Sequence, residues 1–396
     1  LATREQKEFI LKEMIEALDL PESAIDKAVK RYQDLGEWFD RDESSLKDNK
    51  VHIFPQGSFM LGTTIRPINE EEEYDLDLAC KLRSGVTKLS HSQESLKELI
   101  GQELEYYRKA RNIKEELVSK HRCWRLEYQD DISFHMDIVP CIPEEEAKQK
   151  ILLESMVNSG LDQTVAQHAS QFSVAITDDR HKSYNKVCDD WNISNPEGYG
   201  KWFENRMKST NEQILMEKAQ VDQVPVHTRK TPLQRCIQIL KRHRDIMFGE
   251  NESKPISIII TTLAARAYNG EEDLVSALTN ILATMAKHIN TNTPRVPNPV
   301  NPAEDFADRW SMPECRHLNL EQNFKNWLYQ AQSDLANITS TSDTTFITEQ
   351  AQLKFGLKVS ADKLAKGMGV NKELMATVTS KQHIINDPPK PWTNGI

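Results

Sequence analysis

The sequence predicts an α+β protein in two parts, a first lobe built on a mixed sheet and a second, helical lobe. Segments 51–54, 74–82, 123–128 and 133–139 carry the short alternating pattern of half-buried strands, and helical stretches separate them. From Pro196 onward strand patterns stop, and apolar residues recur at helical spacing. At 396 residues the chain exceeds a typical single core, so two packed units are expected. The expected division is residues 1–195 for the first lobe, 196–386 for the helical lobe, and an extended tail at 387–396.

In order, residues 3–47 read as two helices, with Phe9, Ile10, Met14, Ala17 and Leu18 on one face and Ala24, Ala28, Tyr32, Leu35 and Phe39 on the next. Pro21 suits the first turn of the second helix, where no N–H is needed. Strand 51–54 runs into Pro55-Gln56-Gly57-Ser58, and a polar loop at 67–73 leads to strand 74–82. A charged helix is expected at 96–117, then a hairpin of strands 123–128 and 133–139 turning at Gln129-Asp130-Asp131. The second lobe is read as helices at 198–219, 232–248, 256–268, 273–290, 320–338 and 361–366. The proline-rich stretch 292–302 is expected to be a loop, and Thr339–Thr345 a surface turn.

Bulk composition narrows the function classes. Net charge is -10, whereas a chain whose main task is gripping duplex DNA usually carries a basic excess, so no duplex DNA partner is expected. The most apolar stretch, 256–267, is short and contains Arg266, which argues against a membrane span. The chain opens at Leu1 without a signal-peptide pattern, so a trimmed start and a cytoplasmic location are expected. Six cysteines lie far apart, with no Cys-x-x-Cys pair, and are expected to be reduced thiols rather than zinc ligands.

The chemistry is concentrated in Gln56-Gly57-Ser58-Phe59-Met60-Leu61-Gly62-Thr63 and the Asp75-Leu76-Asp77 that follows. Residues two apart on a strand share a face, so Asp75 and Asp77 project together while Leu76 and Leu78 pack inward. The same alternation puts His135 and Asp137 on one face of the later strand. Three carboxylates from two strands can converge on one small volume, and such a cluster is stable mainly when cations neutralise it. Oxygen donors specify Mg²⁺ or Mn²⁺ over zinc. Two ions about 3.5–4 Å apart suit an in-line phosphoryl displacement. Asp137 is also the candidate proton acceptor from an attacking ribose hydroxyl. Gly57-Ser58, at the start of a short helix, offers backbone N–H groups and a hydroxyl to a polyphosphate. Taken alone, a Gly-Ser is more often a turn and an Asp-x-Asp a solvated strand face; order and spacing together favour function.

Gly57-Ser58, Asp75-x-Asp77 and Asp137 together resemble the signature of polymerase-β superfamily nucleotidyltransferases. The longer Gly-Ser-Phe-x-x-Gly-Thr pattern and the helical second lobe are similar to bacterial antiphage cyclic-oligonucleotide synthases, the CD-NTases. These are relatives of cyclic GMP-AMP synthase and oligoadenylate synthase. Ser194-Asn195-Pro196-x-Gly198-Tyr199-x-x-Trp202-Phe203 resembles the segment that joins the lobes in bacterial members, and the resemblance spans about residues 50–330. It implies a polymerase-β-like lobe and nucleotide-binding roles for Gln56, Gly57 and Ser58, with Lys241 and Ser257 the best matches for a lysine and serine on the triphosphate. An apolar stripe of Leu233, Ile237, Leu240 and Met247 leaves Lys241 at a helix edge, where a solvated basic face is the competing reading.

The expected activity is therefore joining of nucleoside triphosphates, ATP among them, into a cyclic di- or trinucleotide, with two metal ions and regulatory protein partners. Linear oligoadenylate synthesis, nucleotide addition to an RNA or protein acceptor, and an inactive nucleotide-binding scaffold are the alternatives. Two further groups have bland readings: His135 as a packed or hydrogen-bonded histidine, and Tyr199, Trp202 and Phe203 as core.

Overall fold

The computed structural model describes residues 1–69, 73–129, 134–208 and 230–369. The chain opens with helices α1 (Arg4–Glu16) and α2 (Glu22–Asp40), strand β1 (Val51–Pro55), the four-residue helix α3 (Gly57–Met60) and strand β2 (Tyr74–Leu82). Helix α4 (Gln93–Ala110), strands β3 (Val118–Ser119), β4 (Trp124–Tyr128) and β5 (Phe134–Pro143), and helices α5 (Glu146–Asn158) and α6 (Gln163–Ser170) follow. Strands β6 (Val174–Ile176) and β7 (Asn192–Ser194) precede α7 (Pro196–Met207), α8 (Pro232–Phe248), α9 (Ser257–Ala267) and α10 (Leu274–Thr284). A small ribbon of β8 (Pro297–Asn298) and β9 (Asn301–Asp305) then leads to α11 (Leu320–Ser340), α12 (Thr344–Phe355) and α13 (Ala361–Gly367).

The expected mixed sheet is present. Its strands run β1-β2-β5-β4-β3, with β6 and β7 continuing from the far end of β5. Among the described residues only β2 and β5 pair in parallel, which the intervening α4 crossover permits, and the other pairs are antiparallel. Leu76, Leu78, Met136 and Ile138 are buried beneath α2 and α4 with Leu35, Leu96, Ile100 and Leu104, while the aspartates between them face the other way.

Element ends follow local chemistry. Helix α4 starts at Gln93 because the Ser92 side chain accepts from Ser95 N, and it stops at Ala110, two residues before Asn112 adopts φ 51°. It is therefore shorter than the expected 96–117. Helix α8 begins where expected because Thr231 and Gln234 form a reciprocal capping box around Pro232. The 339–345 turn shrinks to residues 341–343, since α11 continues to Ser340 and the Asp343 carboxylate caps a helix, α12, that β-branched residues obscure.

Packing departs from a division at residue 195. Ile10, Leu11, Met14 and Ile15 of α1, together with Leu152 of α5 and Ala166 of α6, join the buried cluster of α7 to α12 and not the sheet core. A boundary drawn by chain position cannot show that an N-terminal helix returns to the second lobe. The 387–396 tail, and helix residues expected at 209–219, lie outside the described residues. Among the described residues, no helix is long and apolar enough to cross a membrane, and all six cysteines are free thiols.

One buried ion pair locks the loop after β2 to the end of β5. Lys88 Nζ and Glu144 Oε1 are paired, their side chains 1% and 0% exposed. Lys88→Met strands that carboxylate without its cation and is expected to cost about 3–5 kcal/mol in urea denaturation. The Lys88→Met/Glu144→Leu double substitution should recover most of the loss.

Candidate active site

The parallel pairing of β2 with β5 sets Asp77 opposite Asp137 and Asp75 opposite His135. All four side chains project from the face not covered by α2 and α4. Asp77 shows what this crowding costs: burial, then the charges of Asp75 and Asp137, push its carboxyl up to about 6, with Arg125 and Lys241 opposing. Among the described residues neither Asp75 nor Asp77 has an ion-pair partner, whereas Asp137 has one. Arg125 of β4, its cross-strand neighbour, donates from Nε to Oδ1 at 2.6 Å and from Nη2 to Oδ2 at 2.7 Å. The expected convergence of three carboxylates is thus not complete, and no three His, Cys, Asp or Glu side chains among the described residues form a ready ligand set. The reason is local: Arg125 takes both oxygens of Asp137, and the other two carboxylates repel. The donor chemistry still fits hard divalent cations, because the oxygens come from adjacent strands and, among the described residues, two of the three carboxylates have no ion-pair partner.

Gly57 opens α3 directly against this acidic face. Its φ is 61°, and a Cβ there would lie 2.4 Å from Asp77 Oδ2, so only glycine lets the backbone come so close. Gln56 N donates to Asp77 O at 2.8 Å, which ties the turn to β2 beside the carboxylate. The first N–H groups of α3 have no helical carbonyl to reach. The Ser58 hydroxyl lies 3.1 Å from that of Thr64.

A positive-φ glycine turn thus packs against carboxylates carried on two paired strands, and comparison with known proteins places these segments in a family. Residues 51–141, from β1 into β5, match the family model of the cyclic GMP-AMP synthase DncV-like nucleotidyltransferase domain. A c-di-GMP synthase of Roseivirga ehrenbergii is 30% identical over 313 residues, 77% of this chain and 73% of that protein. The chain belongs to the CD-NTases, the bacterial cyclic-oligonucleotide synthase family of nucleotidyltransferases. The cyclic dinucleotide synthase CdnG of Bradyrhizobium diazoefficiens is 25% identical over 323 residues, 76% of this chain and 69% of that protein. The fold of a solved structure, CdnG of that organism in complex with GTP, superposes with a TM-score of 0.62 at 22% identity, covering 92% of this chain and 98% of that one.

The other residues singled out from the sequence fare differently. Gln56 spends its side-chain amide on Leu78 O at 3.3 Å. Lys241 is no edge residue: with Arg242, His243 and Arg244 it is buried, so the solvated-face reading of this run fails, and Met247 is the exposed position. Burial holds the Lys241 ammonium down at about 8, and it donates to Thr63 O at 3.0 Å. Ser257 accepts from Arg244 Nη1 at 3.0 Å, and no hydrogen bond joins it to the cradle among the described residues. His135 is paired with Glu73, and its other nitrogen lies 3.8 Å from Glu127. Tyr199, Trp202 and Phe203 are core. In the joining segment Asn195 caps α7, donates to Ala169 O at 2.8 Å, and occupies the space a Cβ at residue 198 would need.

Sequence reasoning missed a row of donors along α8. Gln234 donates to Leu61 O at 2.9 Å, Gln238 to Thr64 O at 2.7 Å and Lys241 to Thr63 O, so one helix face holds the turn that follows the cradle. The spacing i, i+4, i+7 was visible; its target, some 170 residues away in sequence, was not. Gln238→Ala leaves a carbonyl unpaired and is expected to cost about 1–3 kcal/mol. It should also raise the KM for triphosphate more than it lowers kcat, measured by pyrophosphate release.

Proposed function

We propose that the chain binds two nucleoside triphosphates at the Gly57–Asp77–Asp137 site and joins them into a cyclic di- or trinucleotide, releasing pyrophosphate. The observation that carries this is the pairing of Asp77 with Asp137 across parallel strands while Gly57 packs on Asp77, in a member of the CD-NTase family. Backbone N–H groups of Gly57 and Ser58 would hold the donor triphosphate, with the Ser58 hydroxyl beside them. Lys241 lies close enough to Asp77 for their charges to interact, which supports a place on the same triphosphate; Ser257 remains the weaker candidate on this geometry.

In each round a ribose hydroxyl oxygen forms a bond to the α-phosphorus of a second nucleotide. The bond from that phosphorus to the bridging oxygen breaks, pyrophosphate leaves with the electron pair, and the hydroxyl proton passes to Asp137. The last round, the second for a dinucleotide and the third for a trinucleotide, closes the ring. Asp75, Asp77 and Asp137 would hold Mg²⁺ or Mn²⁺, which supplies charge neutralisation at the reacting phosphate oxygens. Both Asp137 oxygens accept from Arg125, so proton transfer to Asp137 competes with that pair.

One relative is named a c-di-GMP synthase and the solved CdnG structure holds GTP, so GTP joins ATP as a substrate to test first. A cytoplasmic role in antiphage signalling, with regulatory protein partners and no duplex DNA, completes the proposal. The test incubates the protein with each triphosphate singly and with all four, and identifies the products by mass spectrometry. A mass equal to two or three nucleoside monophosphates less one water per linkage, ring closure included, supports the reading. Products that all retain a triphosphate favour the linear synthase, and no product under any mixture favours the scaffold.

A further inference from the structure

Among the described residues, Asp137 is the one of the three carboxylates with an ion-pair partner, and that partner is an arginine of the protein. Arg125 and Asp137 are direct cross-strand partners on β4 and β5, so both side chains leave the same face side by side. The guanidinium meets the carboxylate fork to fork, with one N–H on each oxygen at 2.6 and 2.7 Å, and the two side chains are 25% and 20% exposed. A bidentate pair of this kind is among the strongest side-chain contacts, and it engages both carboxylate oxygens. A divalent cation on the same oxygens meets both steric exclusion and repulsion from the arginine charge. Asp75 and Asp77 carry no comparable burden.

We propose that Arg125 is the resident counter-ion of Asp137, holding the third carboxylate until a divalent cation displaces it and thereby setting the cation concentration at which the site fills. This rests on the reading of the three aspartates as ion ligands. Arg125 is then a positioning residue that acts through Asp137. It keeps that carboxylate oriented and its charge compensated in the nucleotide-free protein, and it opposes premature filling of the site. The opposite role is physically distinct: an arginine that only orients Asp137 would strengthen cation binding, and its loss would weaken it.

The test titrates Mn²⁺ into the full-length, nucleotide-free protein and reads free Mn²⁺ by electron paramagnetic resonance. Wild type, Arg125→Gln, Arg125→Lys, Asp137→Asn and the Arg125→Gln/Asp137→Asn double variant are compared. The proposal expects Arg125→Gln to reach half-saturation at Mn²⁺ concentrations lower by roughly five- to tenfold, the scale of a partly buried ion pair. Arg125→Lys, with a point charge in place of the fork, should fall between, and it carries the comparison if Arg125→Gln does not fold. Adding Asp137→Asn should erase the gain. Half-saturation unchanged or shifted upward in both arginine variants overturns the proposal, and so does absence of binding in every variant. If wild type and Asp137→Asn bind Mn²⁺ alike, the aspartate reading itself fails; if they differ but Arg125→Gln matches wild type, only the role of Arg125 fails.

Discussion

Asp75→Asn, Asp77→Asn and Asp137→Asn are each expected to lower product formation by at least about 10³-fold, equivalent to about 4 kcal/mol of lost transition-state stabilisation. Their effects on the nucleotide-free fold should differ, and the difference is diagnostic. Asp77 is crowded by burial and two neighbouring carboxylates, which hold its carboxyl up at about 6, so its neutralisation removes an unfavourable charge at neutral pH. The melting temperature of Asp77→Asn should match or exceed that of wild type. Asp137→Asn instead deprives Arg125 of its partner, and its melting temperature should fall. Differential scanning fluorimetry beside a pyrophosphate-release assay checks both. Near wild-type turnover in Asp77→Asn contradicts the assignment.

Gly57→Ala is the second large effect, and it combines two costs. The residue holds φ 61°, where any side chain is strained, and its new Cβ would enter the space of Asp77 Oδ2. The backbone cost is about 1 kcal/mol of stability. The catalytic cost should be greater, because Asp77 must move or the turn must withdraw from the triphosphate. A turnover loss of about 10²-fold or more is expected, the scale on which small misplacements act. Ser58→Ala leaves the backbone N–H groups in place and loses the hydroxyl with its contact to Thr64, so it should be milder. Kinetics and urea midpoints for both variants separate the two costs. If Gly57→Ala loses stability yet keeps turnover, the turn is structural and the cradle lies elsewhere.

The parts of this site that were legible in the sequence share one property: their geometry is local. Alternation alone places Asp75 and Asp77 on one face of β2, and the observed strand has the expected ends. Capping residues and Pro232 likewise mark α8. What escaped depends on distant partners. Arg125 is an ordinary strand residue until the β4–β5 register sets it across from Asp137. Gln234 and Gln238 read as polar helix positions, yet they are fully buried because they serve carbonyls of the turn after the cradle. For the basic run 241–244 a solvated face stayed a competing reading for the same reason; each side chain is held inside by a partner the sequence does not reveal. Strands β6 and β7 are three residues each, too short for a period to show. Helix α1 folds onto the second lobe through apolar residues that suit either core.

The central claim is that this acidic face, with its glycine turn, builds cyclic products from nucleoside triphosphates. The most direct measurement supplies GTP and ATP labelled at the α-phosphate, runs the reaction with Mg²⁺, and treats the products with alkaline phosphatase. A cyclic product has no terminal phosphate, so its label should stay in the oligonucleotide and its mobility should not change. If every labelled product instead releases inorganic phosphate and shifts, the products are linear and the account is contradicted.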